Sequence, residues 1–201
     1  MSAALSLAVD FHPGALTEIY RSDVNIAIWQ RDLNTSIAHY AQYLMAVSPH
    51  WRTRFIQQPE KVAQQLGKEL PLATSRQAFI DDVAVVVEMF SCLFELEQVG
   101  FRMAVLRTAM CPKFHVDQVP CRLISTYAGA GTQWHKPEQM HRSSQASLNP
   151  RVNIGHENLR VGDVALLKGE TWEGNSGRGL VHRSPPASDT EPRLVLTLDF
   201  A

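Results

Sequence analysis

Cys111-Pro-Lys-Phe-His115-Val-Asp117-Gln-Val-Pro-Cys121, followed at once by Arg122-Leu-Ile-Ser-Thr-Tyr127, sets a His-x-Asp pair immediately ahead of a β-strand. In extended chain, residues two apart point the same way, so one metal ion can take both the imidazole and the carboxylate. A second histidine would complete a two-His-one-carboxylate face, which on Fe(II) leaves positions open for substrate and O₂. His182 follows after 64 intervening residues, at the end of the expected strand Leu180–His182. Arg193 stands eleven residues later, at the start of a last strand whose Leu194, Leu196, Leu198 and Phe200 alternate.

Outward from this stretch, the chain changes character near Gly100. On the C-terminal side, Arg102–Arg107, Arg122–Tyr127 and Val164–Leu167, the last opened by a Gly162-Asp163 turn, read as further strands between Gly/Pro turns. The polar segment from Trp134 to Asn158 reads as a long functional loop. On the N-terminal side the patterns are helical. Thr35-Ser36 opens an amphipathic helix ending near Ser48-Pro49, and Pro59 sits in the first turn of a second. Thr74-Ser75 caps a third that runs to about Gln98, with Gly100 past its end. The fold class is therefore α+β: an N-terminal helical region, 1–100, packed on a β core, 101–201, the two forming one compact unit.

Composition narrows the partners. With 45% apolar residues in 201 there is ample core, and the net charge of −1 argues against nucleic acid or anionic membranes. Phe79–Val99 is the longest apolar region, but Asp81, Asp82, Glu88, Glu95 and Glu97 exclude a plain membrane span. The N-terminus lacks a basic start followed by a full apolar run, so no secretory signal is expected. Three cysteines fit reduced thiols, and a cytoplasmic location follows as the expectation. Fourteen arginines to five lysines suit fixed recognition of carboxylate or phosphate.

The order strand, His-x-Asp, loops, Gly-Asp turn, strand, His and Arg-strand resembles the Fe(II)/2-oxoglutarate-dependent oxygenase superfamily, over about Met103 to Phe200. The resemblance implies a double-stranded β-helix of jelly-roll or cupin-like form. In it His115, Asp117 and His182 hold Fe(II), and Arg193 grips the far carboxylate of 2-oxoglutarate. A C–H bond of a substrate, small molecule or protein, would be hydroxylated. Many such enzymes carry a hydroxyl two residues after the arginine. Here that position is Val195, which leaves Thr197 as the first hydroxyl on that side and Tyr127 as a substitute donor, or a core tyrosine. The whole chain also resembles the domain-of-unknown-function family numbered 1826, through CPKFHVDQVPCRLISTYAGAGTQW, GDVALLKGE, GLVHRSPP and PRLVLTLDF. That resemblance implies a role in metal homeostasis without naming the metal.

Cys111 and Cys121 keep a second reading open. A thiolate joining His115 and His182 would suit tetrahedral Zn²⁺ in a non-catalytic zinc-binding protein, although both cysteines, beside Pro112 and Pro120, also read as small packed residues. Thr132 and Trp134 are expected to line a pocket. His135, His141 and His156 read as an entry-loop ligand set or as solvated loop histidines. Substrate and oligomeric state are not legible.

Overall fold

A computed structural model describes residues 6–136, 140–142, 148–150 and 155–201, with the backbone alone for 140–142 and 148–150. It is a mixed α/β protein organised on a seven-stranded, mostly antiparallel sheet. The strands are β1 (Ser6–Asp10), β2 (Val24–Trp29), β3 (Arg52–Gln57), β4 (Val99–Leu106), β5 (Cys121–Ala128), β10 (Val164–Lys168) and β12 (Arg193–Phe200), in the order β1-β2-β10-β5-β12-β4-β3. A three-stranded sheet, β11-β6-β9, uses β6 (Gln133–Trp134), β9 (Glu157–Asn158) and β11 (His182–Arg183), and β7 (Met140–Arg142) pairs with β8 (Leu148–Pro150).

Alternation along the central strands divides the molecule. Leu123 and Tyr127 of β5 and Leu194, Leu196 and Leu198 of β12 face the helices, α1 (Thr35–Val47), α2 (Pro59–Glu69) and α3 (Arg76–Phe94). The helices are locally well specified: the Asn34 side chain accepts from the Ser36 N–H, and Pro59 opens α2. Buried Phe79, Ile80, Val83, Val86, Val87 and Phe90 make α3 the helix driven deepest into that core. On the opposite face, Ile26, Ile28, Ile124, Ala165, Leu167 and Val195 pack with Trp134, Leu159 and Leu180 from the smaller sheet and its loops. The candidate site lies on this second face.

Three expectations change. The first hundred residues are not only helical, because β1, β2 and β3 belong to the main sheet. The run Val24-Asn-Ile-Ala-Ile-Trp29, buried on both faces, shows no alternation to announce it. The third helix ends at Phe94, with Glu95 left-handed at φ 53°, and Gly100 lies within β4 rather than past the helix. Ser75 stands at the N-cap without a side-chain hydrogen bond. The segment Trp134–Asn158 holds short strands at β6, β7, β8 and β9 instead of being loop throughout. No helix among the described residues is long and apolar enough to cross a membrane.

Candidate metal centre

His115 reaches the site because its backbone pairs with that of His182. The His115 N–H donates to the His182 carbonyl, and the His182 N–H donates to the His115 carbonyl, both at 3.0 Å. This two-way bond sets the imidazoles side by side, with centroids 4.6 Å apart. Each ring is then oriented by its own chain. Nδ1 of His115 lies 2.9 Å from the Lys113 carbonyl, and Nδ1 of His182 lies 3.1 Å from the Leu180 carbonyl. A carbonyl only accepts, so Nδ1 carries the proton and Nε2 is left as a lone-pair donor in both rings.

Both Nε2 atoms point at Asp117, 3.6 Å from Oδ1 for His115 and 3.3 Å from Oδ2 for His182. One donor atom from each of the three residues falls within 4.8 Å of the others. Burial opposes the Asp117 charge, but in the metal-free protein, where each Nε2 can take up a proton, hydrogen bonds from the protonated His115 and His182 rings, with the charges of His182 and Arg122, hold its carboxyl well below the usual range. The group is therefore an anion ready to coordinate. Hydrogen bonding to Asp117 correspondingly lifts the His115 pKa.

Arg122, which sequence reasoning passed over, fixes the carboxylate. Its Nη1 donates to Asp117 Oδ2 at 2.7 Å, while Nε and Nη2 donate to the two oxygens of Asp199 at 2.7 and 2.9 Å. Burial opposes the Arg122 charge, yet Asp199 and Asp117 outweigh it and raise its pKa. The link lies in the strand register: Arg122 and Asp199 fall on the site-facing side of adjacent strands and are direct partners.

The same cleft is lined by His115, His182, Thr132, Ser184, Arg193 and Thr197. Arg193 is only 2% exposed. Its Nη1 donates to Ser184 Oγ at 2.9 Å, and Nη2 lies 3.4 Å from Thr126 Oγ1 and 3.3 Å from Thr132 Oγ1. Its Nε has no partner, and among the described residues no carboxylate pairs with it. Burial alone pushes this guanidinium down from its ordinary 12.5 to about 10. Nearby, Thr197 Oγ1 is buried without a hydrogen bond.

Other expected residues lie elsewhere. Tyr127 is not a cosubstrate donor: strand parity turns it to the helices, where its hydroxyl donates to Asp82 Oδ2 at 2.8 Å, beside the Arg31–Asp82 pair. Cys121 is not a metal ligand, because the same parity buries it completely in the helix-side core, and burial pushes its thiol up. Cys111 lines the cleft but contributes no donor to the His115–Asp117–His182 group. Trp134 is not a pocket residue. It pairs in register with His182 and packs between the two sheets. Thr132, as expected, lines the cleft. His135 is buried against Phe114, whose ring centre is 4.1 Å away, and His156 lies 6.1 Å from the same ring; the side chain of His141 falls outside the described residues. Neither His135 nor His156 joins the three-residue group.

A family model described as "Protein of unknown function (DUF1826)" matches residues 10–199. The chain belongs to the DUF1826 family. No curated protein matches this DUF1826 chain. Among solved structures it is similar to a protein of Shewanella oneidensis provisionally described as an oxygenase, at 11% identity and TM-score 0.53, over 98% of this chain and 90% of that one. It is also similar to a Caulobacter crescentus protein provisionally described as a 2OG-Fe(II) oxygenase family member, at 12% identity and TM-score 0.47, over 98% and 86% of the two chains. A Pseudomonas putida prolyl-4-hydroxylase aligns at 10% identity and TM-score 0.47, over 93% and 96%. At 11% identity the likeness to the Shewanella oneidensis protein speaks for the fold alone.

Proposed function

We propose that this DUF1826 protein is a non-haem Fe(II), 2-oxoglutarate-dependent oxygenase that hydroxylates an organic substrate, on a double-stranded β-helix of jelly-roll form. One observation carries the reading: an open three-donor face, His115–Asp117–His182, shares its cleft with Arg193, a buried cation that has no acid of its own among the described residues. The donor chemistry fits. Two neutral imidazoles and one carboxylate suit Fe(II) with positions to spare, and a buried unpaired guanidinium suits a dicarboxylate's far end.

When bound, iron with the oxoacid would supply the oxidation of a C–H bond by O₂. The rest falls to this chain. The backbone carbonyls of Lys113 and Leu180 hold the imidazoles in the ligating tautomer. Arg122 keeps Asp117 ionised and aimed. Arg193 binds the remote carboxylate, with Ser184, Thr126 and Thr132 fixing its fork. Thr197 is the hydroxyl placed to donate to that carboxylate in place of the residue at Val195, since its Oγ1 has no other partner. Burial of Arg193 keeps water from competing for the charge.

The non-catalytic zinc reading with a metal-homeostasis role has lost its thiolates, because Cys121 faces the far core and Cys111 stands outside the donor group. A cytoplasmic location accompanies the oxygenase reading, the three cysteines being free thiols. The test is anaerobic titration of untagged protein with Fe(II) and then 2-oxoglutarate. We expect one equivalent of each and a weak visible charge-transfer band that is lost in His115→Ala. Stoichiometric zinc in the purified protein, with no oxoacid binding after Fe(II) exchange, would sink the proposal.

A further inference from the structure

Beside the metal cleft the same face of the main sheet continues to its edge, and there it becomes basic. Arg52 and Arg54 stand on one side of β3, while Phe55, between Arg54 and Ile56 in sequence, turns to the opposite side and stacks on Phe101 at 4.6 Å. Register sets Arg54 directly across from Arg102 of β4, and Arg52 across from Ala104. Arg102 in turn is the direct partner of Thr197 on β12. Like charges facing each other across antiparallel strands destabilise a sheet. Among the described residues, Arg52, Arg54 and Arg102 have no carboxylate and no hydrogen-bond partner to relieve this.

The three guanidiniums line a groove of about 580 Å³, completed on its apolar side by Leu106 and Met110. That volume is within the range of small-molecule sites, roughly 300–1,000 Å³. Arg102, Leu106 and Met110 also line the metal cleft, so the groove and the cleft are one continuous surface. β3 is two strands away from β12, a separation of about 10 Å.

We infer that this groove binds the anionic end of the substrate: a small molecule bearing a phosphate monoester, joined through an apolar portion to the atom presented at the metal centre. Three unneutralised guanidiniums suit a dianionic group with three acceptor oxygens better than a single carboxylate. Leu106 and Met110 cover the intervening apolar part. The role as a substrate subsite rests on the oxygenase reading, whereas anion binding by the groove does not.

The test uses phenyl phosphate as probe, titrated calorimetrically into the full chain at low salt, with phenol and benzoate as controls. We expect saturable one-to-one binding of phenyl phosphate, weaker binding of benzoate and none of phenol. Affinity should fall at least tenfold in the Arg52→Gln/Arg54→Gln double variant and stay within twofold in Arg193→Met, which removes the buried cation of the neighbouring cleft. Arg54→Gln alone should raise the thermal midpoint, because it relieves the facing charge of Arg102; an arginine serving the fold would lower it. The inference is overturned if wild type fails to bind phenyl phosphate at millimolar concentration, if phenol or benzoate binds as tightly, or if binding survives in the double variant and is lost in Arg193→Met. Failure of Fe(II) and 2-oxoglutarate binding alongside arginine-dependent phosphate binding would refute the oxygenase and leave the anion groove standing.

Discussion

Arg193→Met should make the metal-free protein more stable while depriving it of its oxoacid. Burial lowers the Arg193 pKa from 12.5 to about 10, and at 1.36 kcal/mol per pKa unit this charge costs the fold on the order of 3 kcal/mol. Methionine of similar reach removes that cost. It also removes one good and two long hydrogen bonds, to Ser184, Thr126 and Thr132, a loss of about 1–2 kcal/mol in all. The net gain is about 1–2 kcal/mol, or roughly 2–8 °C in the midpoint for a chain of this length. The sign holds across neutral pH. The folded pKa is the depressed one, so the penalty is fully present below about 10 and fades only as pH rises through it. The difference between the two proteins should therefore be flat from pH 6 to 9. Thermal melts with and without 2-oxoglutarate read both halves: wild type with Fe(II) gains stability on adding the oxoacid, and the variant gains almost none, its affinity falling about a hundredfold or more. A variant that melts lower than wild type yet still responds to 2-oxoglutarate would show Arg193 to be a structural strut and refute the reasoning.

Three further outcomes follow from other parts of the molecule. Asp117→Asn should flatten the acid limb of metal-free stability, since the Asp117 carboxyl is held below its ordinary 3.8 and its contribution, complete above about pH 4, drains as pH falls further; denaturant melts from pH 2.5 to 6 compare the two. Gly169→Ala would drive a Cβ to 1.9 Å from the Val119 carbonyl oxygen and 2.9 Å from that of Asp117. We expect about 1–3 kcal/mol of destabilisation and weakened metal binding, read by equilibrium unfolding and metal titration. Exposed Cys92 and Cys111 should react with a thiol reagent in the native state, and buried Cys121 only after unfolding; counting thiols before and after denaturant decides it.

The site was legible because its chemistry is concentrated in a few residues whose strand context survives in sequence: His115 and Asp117 two apart, His182 at a short strand, Arg193 opening the last one. What could not be read was which face each strand turns to the helices. Tyr127 and Cys121 sit in β5 with odd numbers, and Arg122, Ile124 and Thr126 with even ones. Without the register to β12, either set could have faced the metal. Arg122 was missed for the same reason, since its meaning lies in Asp199, 77 residues away. β1, β2 and β3 went unseen because helical signals dominate the first hundred residues, and a strand such as Val24–Trp29 carries no period of its own. The helices were easier, because their apolar spacing and the Pro59 start are local signals, even though Ser75 makes no capping hydrogen bond.

β12 is the last strand in the chain and occupies a central slot, between β4 and β5. Those two are consecutive in sequence order, yet they never touch as neighbours in the sheet. During synthesis they emerge together, and a direct β4–β5 pairing is the tempting mistake, because β12 arrives about seventy residues after β5. Folding must hold that gap open until Arg193–Phe200 is inserted. The strand that closes the sheet is also the one that brings Arg193 to the cleft. A chain caught before that insertion would carry His115, Asp117 and His182 without their neighbouring cation, and quality control that recognises unpaired strand edges would meet it before any oxoacid could.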